Sequence, residues 1–219
     1  MGRKNAALKK IKTLALAGNP NSGKSSLFNE LTGLHQKVGN FPGITVEKKT
    51  GYLELDGQSY KVVDLPGTYS LFPKSADESV PFETLINPNH EDFPDLIVYV
   101  LDASNIKRNL LFLTQIIDLG IPVVVALNMV DEMQKKGIEI EFDLLSKKLD
   151  VPVFPIVARK GIGINELKEG ICKPVEFSKE SFYSLSEEQI QILQLGHHDI
   201  GNPINYRGLF YFHKLYKNT

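Results

Sequence analysis

The sequence predicts an α/β fold: a mostly parallel sheet with one antiparallel strand, helices on both faces, and a small C-terminal helical segment. Three observations carry this. Residues 96–101, 122–127 and 153–157 are continuous apolar runs of strand length, separated by helical patterns at 110–119 and 142–149. Strands apolar on both faces that alternate with helices form a parallel sheet covered on both sides. Residues 13–17 are a further apolar run, stopped by a glycine and followed by 24–31, where Leu27, Phe28 and Leu31 share one helical side. Residues 52–55 and 60–64 flank Asp56-Gly57, a pair suited to a two-residue hairpin, and this supplies the antiparallel strand.

The remaining stretches follow from weaker signals. Residues 33–50 hold Gly33, Gly39, Gly43 and Pro42 with little periodicity and read as one long loop, of the kind that is functional inside a compact domain. A helix over 164–172 closes the α/β unit, and Lys173-Pro174 ends it. Beyond residue 176 the character changes. Ser186 and Gln189 fit a capping box, Leu185 and Ile190 fit its hydrophobic staple, and a helix is expected from Glu187. A second helical stretch is expected at 209–216. The organisation is thus a basic leader at 1–12, a main domain at 13–175 and a partial helical domain at 176–219.

Composition bounds the function. With 219 residues there is room for one full α/β domain and a small appendage. Twenty-five basic against 26 acidic residues give no electrostatic footprint for nucleic acid. Cys172 is the one cysteine, so neither an internal disulfide nor a Cys/His zinc site is indicated. The leader carries Arg3, Lys4, Lys9, Lys10 and Lys12 but lacks the apolar stretch of a secretion signal, and no run approaches the ~18 apolar residues of a membrane span; a soluble, cytosolic chain is expected. His35, His90, His213 and the His197-His198 pair lack the convergent spacing of a metal-ion site and read as solvated or packed.

The chemistry is concentrated in four motifs. Gly18-Asn19-Pro20-Asn21-Ser22-Gly23-Lys24-Ser25, followed by Ser26, fits G-x-x-x-x-G-K-[ST] and lies between an apolar strand and a helix start. In such a loop the glycines let backbone N–H groups turn onto phosphates, Lys24 reaches the β- and γ-oxygens and Ser25 ligates Mg²⁺. Asp64-Leu65-Pro66-Gly67 ends a predicted strand: Asp64 would reach Mg²⁺ through water and the Gly67 amide would meet a γ-phosphate. Thr45, within Gly43-Ile44-Thr45-Val46, is the candidate second Mg²⁺ ligand on a loop ordered by the γ-phosphate. Asn128-Met129-Val130-Asp131 follows the apolar strand 122–127. The Asp131 carboxylate can accept from the N1 and N2 donors of guanine; adenine offers no such pair. An unpaired carboxylate costs roughly 1.5–3 kcal/mol, so GTP is expected to beat ATP by at least ten- to a hundredfold.

The order of these motifs resembles the Ras-like phosphate-loop GTPase fold. Within it, residues 18–29, 38–47 (Val38-Gly39-Asn40-Phe41-Pro42-Gly43-Ile44-Thr45-Val46-Glu47) and 64–71 (Asp64-Leu65-Pro66-Gly67-Thr68-Tyr69-Ser70-Leu71) resemble the family of bacterial ferrous iron transport B proteins, with a match across about 13–172. The resemblance implies the cytosolic amino-terminal GTPase part of a larger bacterial inner-membrane transporter. Its partners would be a guanine nucleotide, GTP or GDP, and the transporter's own membrane domain. Self-association is left open, and 176–219 corresponds to a shortened helical spacer. A ribosome-assembly or RNA-modification GTPase shares the motif order, but the neutral charge and short tail argue against it.

The resemblance also fixes what is unusual. Met129 stands where most GTPases carry lysine, keeping aliphatic packing while losing the charge, so weaker nucleotide binding with fast release is expected. Val157-Ala158-Arg159 is the loop that closes over the base. The Ala158 amide can meet guanine O6, but Val157 has no hydroxyl to offer. No glutamine follows Gly67, and slow turnover on the order of 10⁻⁴ to 10⁻² s⁻¹ is the default without an arginine finger. By resemblance to potassium-stimulated GTPases, Asn21 helps to hold K⁺ against the phosphates and belongs with Lys24, Thr45 and Gly67 in the catalytic set.

Overall fold

The computed structural model describes residues 13–33, 36–42, 45–173 and 182. Among these residues seven strands form one sheet: β1 (Thr13–Gly18), β2 (Gln36–Asn40), β3 (Glu47–Leu55), β4 (Gln58–Asp64), β5 (Leu96–Asp102), β6 (Val123–Asn128) and β7 (Val153–Pro155). Their spatial order is β2-β3-β4-β1-β5-β6-β7. Only β3 runs against the others, pairing antiparallel with β2 and β4, while β4, β1, β5, β6 and β7 are joined in parallel. Six helices accompany them: α1 (Lys24–Thr32), α2 (Ala76–Ile86), α3 (Ile106–Asp118), α4 (Val130–Lys135), α5 (Phe142–Leu149) and α6 (Ile164–Cys172).

The apolar central strands divide their side chains between two cores, because successive residues of a strand point to opposite faces. Leu14, Leu16, Val62, Val98, Val100, Val124 and Ala126 pack with Leu27, Phe28 and Leu31 of α1 and Leu167 and Ile171 of α6. Ala15, Ala17, Val63, Ile97, Tyr99, Leu101 and Val125 pack with Val80 and Leu85 of α2, Phe112, Leu113 and Ile116 of α3, and Leu149 of α5. Truncating one of the large buried side chains, such as Phe112 at 0% exposure, would cost about 3–5 kcal/mol. The hairpin turns at Asp56-Gly57, both with positive φ, as the two-residue connection requires.

Three regions differ from the sequence expectation. Residues 33–50 are not one loop, since 36–40 form β2 and β3 starts at Glu47 rather than at residue 52. These segments are polar, and the one apolar residue of β2, Val38, is 63% exposed; backbone pairing at a sheet edge leaves no apolar alternation to read. The helix α2 was not anticipated, because Pro81 lies inside it and proline removes a helical donor. Its start was nevertheless written in the sequence: Ser75 caps it by accepting from the Glu78 N–H at 3.4 Å, and Glu78 Oε2 accepts from the Lys74 N–H at 2.8 Å. Finally, β7 ends at Pro155, and 158–160 form a 3₁₀ turn instead of continuing the strand. The leader and the helices expected from Glu187 and at 209–216 lie outside the described residues; from beyond residue 173, Phe182 donates its N–H to Asp118 Oδ1 at the end of α3, at 2.9 Å.

One buried ionic hub ties the hairpin to the connection before β5. Asp92, at 0% exposure, meets Lys48 of β3 at 2.5 Å and Lys61 of β4 at 2.6 Å; Lys48 also pairs with Glu91. The Asp92 N–H donates to His90 Nδ1 at 3.1 Å, which makes His90 a turn acceptor. Burial works to raise the Asp92 carboxyl, but the hydrogen bonds and charges of the two lysines outweigh it and hold it below the ordinary range. Burial likewise works to lower the Lys48 ammonium, and Asp92 and Glu91 prevail and raise it. A depressed carboxyl stabilises the fold at pH values above its unfolded value and loses that contribution as pH falls through the folded one; a raised ammonium does the reverse at alkaline pH. Asp92→Asn should therefore lower stability by roughly 1–3 kcal/mol near neutral pH and weaken the acid-induced loss below 3.8. Urea midpoints from pH 3 to 8 check this, and superimposable wild-type and variant curves would contradict it.

Candidate functional site

Four motifs far apart in sequence meet where the parallel strands end at their carboxyl edge, the usual location of ligand sites in open α/β sheets. β1 delivers Gly18 into the phosphate loop, β4 delivers Asp64, β6 delivers Asn128, and the segment after β7 delivers 157–159. The parallel register sets Leu16 of β1 opposite Asp64, and from there Lys24, on the first turn of α1, pairs with Asp64 Oδ1. Both groups are largely buried, at 11% and 7% exposure.

The loop from Gly18 to Ser25 holds its shape through contacts that a larger residue would destroy. Gly23 precedes α1 with φ 87°, and a Cβ there would sit 2.1 Å from Asn128 Nδ2. A Cβ on Gly67 would come within 2.9 Å of the Pro20 nitrogen and 3.0 Å of its Cα, so the 64–67 segment lies directly on the phosphate loop. Main-chain bonds join the same segments: the Leu65 N–H donates to Leu16 O at 3.1 Å and the Thr68 N–H to Gly18 O at 3.3 Å. Asn21 is exposed and adopts φ 64°, a conformation asparagine tolerates. Ser22 is buried, whereas Ser25 is exposed and Ser26 half-buried on α1.

The motif at 128–131 is organised around Asn128. Its Nδ2 donates to Ser22 O at 2.9 Å, and its Oδ1 accepts from the Ala158 N–H at 3.0 Å. One amide, 3% exposed, thereby joins the phosphate loop to the loop at 157–159. Val157 is held by mutual main-chain bonds with Ile162, at 3.0 and 3.3 Å, and Arg159 is exposed. Met129 has φ 64°, and its Cε methyl lies 3.6 Å from where a Gly23 Cβ would be, so it packs over the phosphate loop. Val130 is buried and Asp131 half-exposed in the first turn of α4. The Lys160 ammonium contacts Asp131 Oδ2 at 2.7 Å, and this hydrogen bond holds the Asp131 carboxyl below its ordinary range, so it is anionic at neutral pH.

The segment that bears Thr45 joins β2 to β3. Thr45 is exposed and Val46 half-buried between β2 and β3, where the Phe41 N–H donates to Val46 O at 2.9 Å; Gly43 and Ile44 lie outside the described residues. Residues after Gly67 are docked on α3 by groups the sequence reading did not single out. Gln115 Oε1 accepts from the Leu71 N–H at 2.9 Å and from Ser70 Oγ at 3.2 Å, and the Arg108 guanidinium stacks 4.1 Å from the Tyr69 ring centroid. Lys160 and Gln115 carry no sequence signal, since a lone surface lysine or helical glutamine belongs to no motif. No cluster of three or more His, Cys, Asp or Glu residues suited to a metal occurs among the described residues; His35, His197, His198 and His213 lie outside them.

Fold and site together define a Ras-like phosphate-loop GTPase domain. The model of the family Ferrous iron transport protein B matches residues 12–171, and the chain belongs to that family. The Fe(2+) transporter FeoB of Leptospira biflexa is 43% identical over 171 residues, which is 78% of this chain and 24% of that protein. That of Escherichia coli is 47% identical over 164 residues, 75% of this chain and 21% of that protein. The chain therefore spans less than a quarter of the length of these curated relatives. Among solved structures, the cytosolic domain of L. pneumophila FeoB superposes with a TM-score of 0.80 at 38% identity, covering 93% of this chain and 80% of that one. The cytosolic domain of T. maritima FeoB in a GDP form gives 0.80 at 33% identity, covering 95% and 85%. No helix among the described residues is long and apolar enough to cross a membrane.

The Asn128 junction makes a direct prediction. Asn128→Ala leaves the buried Ala158 N–H without its acceptor and should destabilise the fold by about 1–3 kcal/mol, read as a lower denaturant midpoint in the absence of any nucleotide. An unchanged midpoint would mean that the junction does not hold the loops together.

Proposed function

We propose that this chain binds GTP, hydrolyses it to GDP and phosphate, and by doing so regulates Fe²⁺ uptake across the bacterial inner membrane from its cytoplasmic face, acting through the transporter's own membrane domain. The observation that carries the nucleotide reading is the Asn128 junction. It sets the phosphate loop beside the segment that bears Ala158, with Asp131 one helical turn further along. The GDP form of the T. maritima relative supports the same reading; the iron part rests on family membership and on the names of the relatives.

The residues divide the work by position. Backbone N–H groups of the phosphate loop and the amino end of α1 attract the phosphates, and Lys24 adds its ammonium to the β- and γ-oxygens. The Gly67 amide meets the γ-phosphate, close to the loop it already touches at Pro20. On the base side Asp131 accepts from guanine, and the Ala158 amide faces O6. Ser25, Thr45 and, through a water, Asp64 are the residues that would hold Mg²⁺; two hydroxyls and a carboxylate are a hard oxygen set that suits it. Mg²⁺ and K⁺, when bound, offset the phosphate charge that grows during transfer to water, and Asn21 is the residue that would hold K⁺. Without a glutamine or an arginine finger the turnover is slow.

Phosphate release from GTP and from ATP, with Mg²⁺ and in either KCl or NaCl, tests this in wild type and Asn21→Ala. Turnover should be confined to GTP, raised by K⁺ and no longer raised by it in the variant. Comparable turnover of ATP would sink the base assignment, and equal rates in the two salts would sink the role of Asn21. With Met129 in place of the usual lysine, GDP should exchange quickly; a sub-nanomolar GDP affinity would contradict this.

A further inference from the structure

Tyr99 is buried in the middle of β5 at 0% exposure, outside every motif named above, yet its phenol reaches the phosphate loop. The hydroxyl lies 2.7 Å from the Asn19 side-chain amide and 3.0 Å from Asn109 O on α3. Its ring packs edge-on against Phe112, with centroids 5.6 Å apart. Asn19 and Asn109 are themselves buried, at 2% and 3% exposure.

Hydrogen-bond bookkeeping orients this chain. A phenol has one proton, and both the Asn109 carbonyl and Asn19 Oδ1 are acceptors. Asn19 Nδ2 is meanwhile buried without a partner. The two ends of an amide are told apart by their bonding. Rotating the Asn19 amide by half a turn lets its NH₂ donate to the phenol oxygen while the phenol proton goes to Asn109 O, which satisfies both contacts at once. Burial pushes the Tyr99 hydroxyl well above its ordinary range, so it remains a donor at any working pH.

The two ends of the chain are functional segments. Asn19 is the second residue of the phosphate loop; its carbonyl accepts from the Ser22 N–H at 3.3 Å, and its main chain lies against Gly67. Asn109 belongs to α3, the helix that docks the residues after Gly67 through Gln115 and Arg108. We propose that Tyr99 is a positioning residue for the nucleotide: its phenol fixes the phosphate loop through the Asn19 side chain and anchors that loop to α3. This rests on the guanine-nucleotide reading and deepens it.

The test is the binding and release of a fluorescent N-methylanthraniloyl-GDP by the full chain in wild type, Tyr99→Phe, Asn19→Ala and the double variant, with the thermal midpoint of each recorded alongside. Tyr99→Phe keeps the ring on Phe112 and removes only the hydroxyl. It should speed GDP release and weaken GDP binding by about tenfold, whereas in the Asn19→Ala background it should change release by less than about twofold, because the two groups act as one unit. Leu167→Ala, on the opposite face of the sheet and 0% exposed, controls for general loss of stability: it should lower the thermal midpoint with GDP release unchanged. If wild type binds GDP while Tyr99→Phe releases it at the wild-type rate, or if the two substitutions act independently, the positioning role is overturned and the nucleotide reading stands. If wild type fails to bind GDP, both are overturned.

Discussion

Asn128 is the constraint on which the site depends. It ends β6, is almost wholly buried, and uses both ends of its amide on backbone groups of two other loops. Neither partner has an alternative in water, so the three segments are fixed together or each carries an unmet polar group. Gly23 is part of the same constraint, because the space a side chain would take there is filled by the Asn128 amide. The loop from Gly18 to Ser25 is thus held by the residue that ends β6, just before α4, which bears Asp131.

The rest of the molecule divides into a rigid half and a lightly held half. β1, β5 and β6 are buried on both faces and shared by two cores, and they place Gly18, Asn128 and Tyr99 with little freedom. β2 lies at the sheet edge, with polar side chains and an exposed Val38. Few apolar contacts and backbone pairing on one side only give such a strand low local stability, which suits the neighbourhood of Thr45. The Asp92 hub limits how far this loosening spreads, since it clamps the following part of β3 and β4 to the connection before β5.

α3 stands between these two halves. At successive turns it meets the Tyr99 hydroxyl through Asn109, the Tyr69 ring through Arg108, Ser70 and Leu71 through Gln115, and Phe182 through Asp118. The helix thus touches the segment after Gly67 directly and reaches the phosphate loop through the Tyr99 hydroxyl, which links the two. The contact at Asp118 extends this route toward the part of the chain beyond the α/β domain.

What the sequence determined by itself is the α/β architecture and the family. Continuous apolar runs of that length, alternating with helical patterns, suit buried strands, Asp-Gly turns a hairpin, and the motif from Gly18 to Ser25 is legible because its residues are adjacent in the chain. Asp64 and Asn128 stand at strand ends because the apolar runs before them are strands. The tertiary structure alone decided what those residues lean on. β2 has no apolar face to betray it, and α2 was concealed by Pro81 although its capping residues were present. Lys160, Gln115 and Tyr99 serve the site through partners between 29 and 80 residues away. Such contacts depend on strand register and helix placement, which bring together groups whose spacing along the chain carries no signal.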